Sequence, residues 1–547
     1  VSNSDFNKID MKNINVDLLN KRWFTLLLTV VLFSSCEDDF LGDKLRSDTS
    51  VDFLYSTPEG LESAVVGLYS LNREIYQDLS LNGTYPLILQ AKGDLGVGIT
   101  GEVSLYSRLL WGASLGDYGT TSGINAHWVH HYRIVDRCNA IIKSAETITD
   151  LEVGRKNQIL AEAKAMRANS YFTLYRLFNN IFITTEPTTP ENAFDVPQDK
   201  SSVEEIFALL RSDLDFAIEN LDYNPEQFGR WGQGAARHLR AKVAMWEEDW
   251  TEAAAQTDAI ITSGNHALVA TEDVFADELN HSETLFAINF ERETIGGGNP
   301  HIMNWNMISA YSDAPGLIQS VENGGAGAGF ISLNQYTIDL LNEDPNDNRK
   351  NNTYYIFEYA YNDEPGLPAG KQIGEPLDLY ENSDTDQNEF MLYYRRQNPG
   401  ILKFFDENVE PTDRNHFKNI MIYRSAETYL IGAEAHMMLN NTSKALEYIN
   451  TVRERANTEP IASIDLETIL EERARELAFE GQRWFTLKRT GKLFEYLSDH
   501  MNNDNMNESY PEGNPKTLLR EYMKNWPIPQ QQMDLLGPSY PQNDGYN

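Results

Sequence analysis

The chain has 547 residues, 82 of them Asp or Glu against 45 Lys or Arg, for a formal charge of −37 at pH 7. The acidic residues are scattered rather than blocked, so the surface repels phosphate backbones and excludes nucleic acid as the expected partner. The same charge disfavours a strongly anionic glycan, leaves a neutral ligand as the best fit, and serves solubility in any case. Aromatic residues make up 11% of the chain, with 27 Tyr and 9 Trp. Much of that is core, and a surplus of flat rings with polar tips also suits stacking on sugars.

Lys21-Arg22 precedes an uncharged run from Trp23 to Phe33, then Ser34-Ser35-Cys36 and Glu37-Asp38-Asp39. A basic pair, a short apolar run and small residues form a secretory signal. The run is far short of the ~20 residues that a spanning helix needs. The Cys after the small residues resembles a bacterial lipobox, which implies acylation of Cys36 and a mature chain that starts there. Residues 1–35 are then a removed extension and signal peptide, with Met11-Lys12 as the expected start, and 36–56 a lipidated tether. The acidic triplet resembles the signal that sends Bacteroidetes lipoproteins to the exterior face of the outer membrane. Cys138 is left as a single thiol, unable to form an intramolecular disulfide. It falls in a helical apolar pattern with Ile134, Val135, Ile141 and Ile142, which predicts a buried, inert group.

Thr57-Pro58 opens the first predicted helix, Thr as N-cap and Pro at N1, with Leu61, Val65, Leu68 and Tyr69 on one face. Residues 81–124 are Gly-rich and irregular. Helical spacing returns over 125–148, 155–178 and 201–221, the last capped by Ser201 or Ser202. Two later helix pairs resemble each other: Ala235 to Trp246 with Trp250 to Ser263, and Ala426 to Leu439 with Thr442 to Ala456. In each, an Ala-rich helix, a short turn and a second helix follow the logic of a tetratricopeptide unit, whose period is about 34 residues. The copies are far apart, so the repeat is interrupted. Residues 281–420 carry Gly296-Gly297-Gly298, Gly324 to Gly329 and many Asn, Asp and Pro, which mark long functional loops, with short strands predicted at Leu285 to Phe290 and Tyr354 to Tyr359. Beyond 465, capped by Asp465, helix returns. The tail from Asn525 to Asn547 reads as an extended strap.

The segment Glu471 to Phe485, with its Arg473-Ala474-Arg475-Glu476-Leu477-Ala478-Phe479-Glu480-Gly481-Gln482-Arg483-Trp484 core, resembles the C-terminal signature of the SusD/RagB family, the nutrient-binding lipoproteins of Bacteroidetes outer membranes. Trp526-Pro527-Ile528-Pro529-Gln530 resembles its closing motif, and Tyr423 to Ala435, Leu160 to Phe178 and Asp344 to Thr353 match in order. The resemblance spans essentially the whole mature chain. It implies a mainly α fold: a SusD-like α-α superhelix of four tetratricopeptide-like helix pairs plus a loop-rich ligand-binding region with a few short strands. It implies one domain over 57–547, with a helical core at about 57–280 and 420–547 and the loop-rich insertion at about 281–420. It further implies a SusC-type TonB-dependent transporter as partner, and a ligand face drawn from loops at roughly 92–118 and 296–336.

Within those loops the candidate glycan-stacking rings are Tyr106, Trp111, Tyr118, Trp305, Tyr311 and Tyr336, with Asp94, Arg108 and Asn304 placed to read hydroxyls. The competing expectation is that a loop ring plugs its own loop into the core. Glu471 and Arg475 form a favourable i, i+4 pair, and Glu480 and Arg483 beside Gly481 read as architecture at a helix break. His127 and His131 have the i, i+4 spacing of metal ligands but lack an obvious third ligand. Asp384-Thr385-Asp386 starts like a calcium loop but has no Gly at position six and Arg395 in place of the closing Glu. No cofactor or metal is therefore expected, with an irregular calcium site left open. No nucleophile elbow, phosphate loop or dinucleotide fingerprint occurs. The expected function is non-catalytic capture of a neutral oligosaccharide at the outer membrane, anchored through the Cys36 lipid. Peptide capture, a surface glycoside hydrolase and a protein-binding scaffold are the alternatives.

Overall fold

In the computed structural model, which describes residues 51–77, 89, 93–98, 123–276, 279–292, 300–350, 354–377, 396–501 and 519–546, helices begin where a side chain satisfies an orphan backbone donor. Thr57 accepts from the Gly60 N–H at 3.1 Å and starts α1 (Pro58–Glu74). Ser202 and Glu205 form a reciprocal capping box, at 3.2 and 2.8 Å, that starts α4 (Val203–Asn220). The remaining helices of the stack are α2 (Gly123–Thr147), α3 (Val153–Phe178), α5 (Gln233–Trp246), α6 (Trp250–Ser263), α7 (Ser425–Met438), α8 (Thr442–Arg455) and α9 (Leu466–Leu477). Asp465 caps α9 by accepting from Thr468 N and Oγ1 at 2.8 and 2.7 Å.

The chain divides into a unit up to Leu54 and a second from Tyr55 to Asn547, and the helical stack and its insertion belong to the second. A six-residue helix, Val51–Ser56, lies at the end of the stretch read as a tether.

From α1 to α8 each helix packs on its successor, and α9 rests on α7 and α8. The order includes α6 on α7 although residues 264–424 intervene. That contact is built from small residues: Ala253 and Ala254 of α6 share a buried cluster with Ile431 and Ala435 of α7 and Ala241 and Ala244 of α5. Gly432 sits at the closest approach, where a Cβ would stand 2.7 Å from the Tyr448 ring and 3.0 Å from Thr257 Oγ1. The mainly helical fold with interrupted pairs is as the sequence leads one to expect.

Among the described residues, three two-stranded antiparallel sheets organise the insertion: β1 (Gly96–Gly98) with β3 (Ile331–Leu333), β2 (Thr284–Ile288) with β6 (Ile420–Arg424), and β4 (Tyr355–Ile356) with β5 (Gly400–Ile401). β2 and β6 join the two ends of the insertion, so it leaves and re-enters the helical stack at one place. It carries its own small core of Ile308, Tyr311, Leu317, Ile356, Tyr359, Tyr361 and Leu402. The strands are shorter than alternation suggests: five residues rather than six at 284, two rather than six at 355. The C-terminal strap is pinned by Trp526, which is fully buried and donates its backbone N–H to the Leu177 carbonyl at 2.7 Å. It is not extended throughout, since Gln530–Leu536 is helical. No helix among the described residues is long and apolar enough to cross a membrane.

Candidate functional site

The signature segment builds a buried ionic lattice rather than a reactive centre. Arg424, at the end of β6, donates to Glu283 at 2.8 Å, to Glu476 at 2.6 Å and to both oxygens of Glu480 at 2.8 Å. Arg349 pairs with Asp347 at 2.7 Å, Glu472 at 2.8 Å and Glu476 at 3.2 Å. Burial pushes the Glu476 carboxyl up, but the guanidiniums of Arg455, Arg424 and Arg349 outweigh it and hold it well below the carboxylate range. Lys403 is pushed down to about 8 by burial, partly offset by Glu480, to which it donates at 2.7 Å. Glu480 thus spends its oxygens on Arg424 and Lys403, as architecture. Phe479 and Gly481 both take positive φ, 65° and 79°, which turns the chain sharply between α9 and the following helix, Arg483–Arg489.

Three of the expected ligand-reading groups are structural instead. Asp94 is fully buried and receives Arg483 Nε at 2.9 and 3.1 Å and Nη2 at 2.6 Å. It therefore locks the first loop to the signature helix rather than facing sugar hydroxyls. Tyr311 is fully buried, stacked on Tyr359 at 4.8 Å, with its hydroxyl donating to the Gly325 carbonyl at 2.7 Å and accepting from Ser320 N at 3.1 Å. It plugs the Gly-rich loop to which it was expected to lend a binding ring. Asn304 is also fully buried, donating from Nδ2 to the Gly324 carbonyl at 3.0 Å. Tyr336 is half-buried, stacked on His500 with centroids 3.8 Å apart.

Trp305 has a different setting. It lies on a short helix, Met303–Met307, whose other four residues are buried while its own ring is half-buried. Phe330 meets the ring edge-on at 5.2 Å, and the Arg414 guanidinium lies 5.7 Å from its centroid. The Ala328 N–H donates to the Trp305 carbonyl at 2.7 Å, which braces the turn from the Gly-rich side. Phe330 and Arg414 were not singled out from sequence. Arg414 arrives through a bridge in which His301 and His416 exchange backbone hydrogen bonds at 2.9 Å, a pairing with no local signal. Cys36, Tyr106, Arg108, Trp111 and Tyr118, like the Asp384–Asp386 stretch, lie outside the described residues.

The histidines of α2 form a buried stack. His127 and His131 lie 6.2 Å apart ring to ring, and His127 meets Trp526 edge-on at 5.4 Å. Burial pushes His127 down to about 3 and His130 to about 4, so both are neutral packing groups. Among the described residues no cluster of three or more His, Cys, Asp or Glu is arranged to hold a metal. Burial likewise pushes the Cys138 thiol up, which keeps it protonated and inert. Elsewhere, three open clefts of about 510, 420 and 650 Å³ share Phe228 in their walls.

Comparison with known proteins places this geometry among relatives. The family model described as "SusD family" matches residues 275–546, and that described as "Starch-binding associating with outer membrane" matches residues 53–245. A SusD-like protein of Formosa agariphila is 26% identical, over 95% of this chain and 99% of its own length. A solved laminarin-binding SusD-like protein superposes with a TM-score of 0.67 at 22% identity, over 90% of this chain and all of that one. Surface glycan-binding protein A from Bacteroides thetaiotaomicron, solved with laminarihexaose, gives 0.67 at 20% identity, over 89% of this chain and all of that one.

Proposed function

This chain belongs to the SusD/RagB family, and on that premise we propose that it captures a neutral oligosaccharide at the cell surface without transforming it and delivers it to a TonB-dependent transporter in the outer membrane. The observation that carries the glycan reading is Trp305, a partly buried ring on a base of four buried neighbours, met edge-on by Phe330 and with the Arg414 guanidinium over one face. Such a ring is held rigid before ligand arrives, so little side-chain entropy is lost on stacking. The exposed Arg414, over one face of that ring, adds a donor for ring or hydroxyl oxygens of a sugar on the other. That two solved neighbours are a laminarin-binding protein and a laminarihexaose complex supports a glycan as ligand class. In this reading Trp111, Tyr106, Tyr118 and Arg108 are further glycan contacts, and a lipid on Cys36 anchors the protein to the membrane.

Calorimetry or affinity electrophoresis against a panel of neutral polysaccharides tests the reading. Binding to at least one glycan with no release of shorter products is expected. No glycan response from folded protein, or a response only to peptides, overturns it. Co-purification of the full-length lipoprotein with an outer-membrane barrel from its own membranes tests the delivery step.

A further inference from the structure

We propose that the crevice between α5, α7 and the Arg483–Arg489 helix is a binding site for a single monatomic anion, a halide of chloride's size. The proposal is independent of the glycan reading and uses none of its residues. The crevice has about 20 Å³ of room, enough for one water-sized particle among its buried side chains. Its walls include Lys242, Arg473, Arg489, Arg176 and a single carboxylate, Glu427. Arg489 is balanced by Glu434 at 2.7 Å. Lys242 and Arg473 are not separately balanced: both rest on Glu427, Lys242 at 2.8 Å and Arg473 at 2.9 Å, and His238 shares the same carboxylate at 3.0 Å. One negative charge therefore serves two buried cations.

Burial pushes Lys242 down to about 8; Glu427 opposes the shift, and the guanidiniums of Arg176 and Arg473 add smaller contributions to it. Geometry supplies the second observation. Arg473 is 6% exposed, and its Nη1 is buried with no hydrogen-bond partner, although Nη2 bonds Glu427 and Thr486. A buried guanidinium N–H left without an acceptor is costly. A water would satisfy the donor and leave the surplus charge. A monovalent anion does both, through charge-assisted bonds in a poorly solvated pocket. The site is notable in a protein of charge −37, whose surface otherwise repels anions: only desolvated, geometrically fixed cations would retain one.

Two measurements decide. Crystals of the mature protein soaked in bromide should give an anomalous peak in the crevice beside Arg473 Nη1, and a refined water with no anomalous signal overturns the proposal. In solution, chloride replacing gluconate at constant ionic strength should raise the melting midpoint saturably, by about 1–2 °C. Gluconate is the stricter background, because it stabilises proteins generally. Arg473→Gln should abolish the chloride response while the glycan response persists. A flat wild-type titration, or an undiminished response in Arg473→Gln, overturns the assignment. Should that variant not fold, the bromide peak in the wild type still decides.

Discussion

Trp305 and Tyr311 stand six positions apart in equally polar, Gly-flanked sequence, and only one of them is available to a ligand. The difference is made by residues from far along the chain: Tyr359 stacks on Tyr311 and Gly325 takes its hydroxyl, while Phe330 meets Trp305 edge-on and the Arg414 guanidinium lies over one face of its ring, leaving it partly exposed. Local sequence therefore revealed that rings were present in the loops but not which of them were plugs. Trp305→Ala should weaken glycan binding about tenfold, a loss of one stacking contact, with a smaller loss of stability than a fully buried ring would cause. Tyr311→Ala should do the reverse, destabilising by about 3–5 kcal/mol. Calorimetry and thermal melts on the two variants separate the roles, and unchanged affinity in Trp305→Ala would remove that ring from the site. Histidine burial sets a pH response at the same scale. His127 and His301 are pushed down to about 3, and His130 and His416 to about 4, chiefly by burial. The unfolded chain takes up protons near pH 6.5 while these sites do not, so their contribution is whole above about 6.5 and is lost as pH falls toward 4. The lattice carboxylates Glu472, Glu476 and Glu480 are lowered from 4.5, so they add their own loss only below that value. Urea midpoints should be flat above pH 7 and fall steadily below 6; a midpoint that rises toward pH 5 would contradict this assignment.

Elements were legible in proportion to how locally they are specified. The caps at Thr57, Ser202 and Asp465, and the Ala-rich faces of α5 and α7, are written in residues a few positions apart, and the helices form where those signals lie. Strands of two to five residues are specified by partners far away, as when Tyr355 pairs with Ile401, and their ends could not be read from alternation. The ionic lattice was half legible: the Glu471–Arg475 pair was visible as helix spacing, and it spans 3.6 Å. The stronger contacts from Arg424 and Arg349 come from other elements and gave no spacing to read. At this scale Gly432 is the sharpest test of the stack. An Ala there gains helix propensity of about 1 kcal/mol but drives a methyl to 2.7 Å from Tyr448, whose hydroxyl is tied to Asp258. Overpacking costs of about 1–3 kcal/mol are typical, so, net of that gain, Gly432→Ala should lower the unfolding free energy by up to about 2 kcal/mol. An increase in stability would mean that α6, α7 and α8 are less tightly seated than described.

For the whole molecule, charge was the most transparent quantity and the ligand the least. A surface of −37 argues for an uncharged ligand, and affinity for such a ligand should change less than about twofold between 50 and 500 mM salt, since there is no ligand charge to screen. Titration of the preferred glycan at both salt concentrations checks this, and stronger binding of a uronate-rich polymer at low salt would count against it. The order of packing has one last consequence, and it concerns time. Ile431 and Ala435, which cover the α6 alanines, exist only after residues 264–424 have been made. A nascent chain that has completed α6 therefore holds half a superhelix with an unclosed apolar end, and the insertion must pass before the second half arrives to close it. The length of the insertion thus sets how long the core waits for its other half.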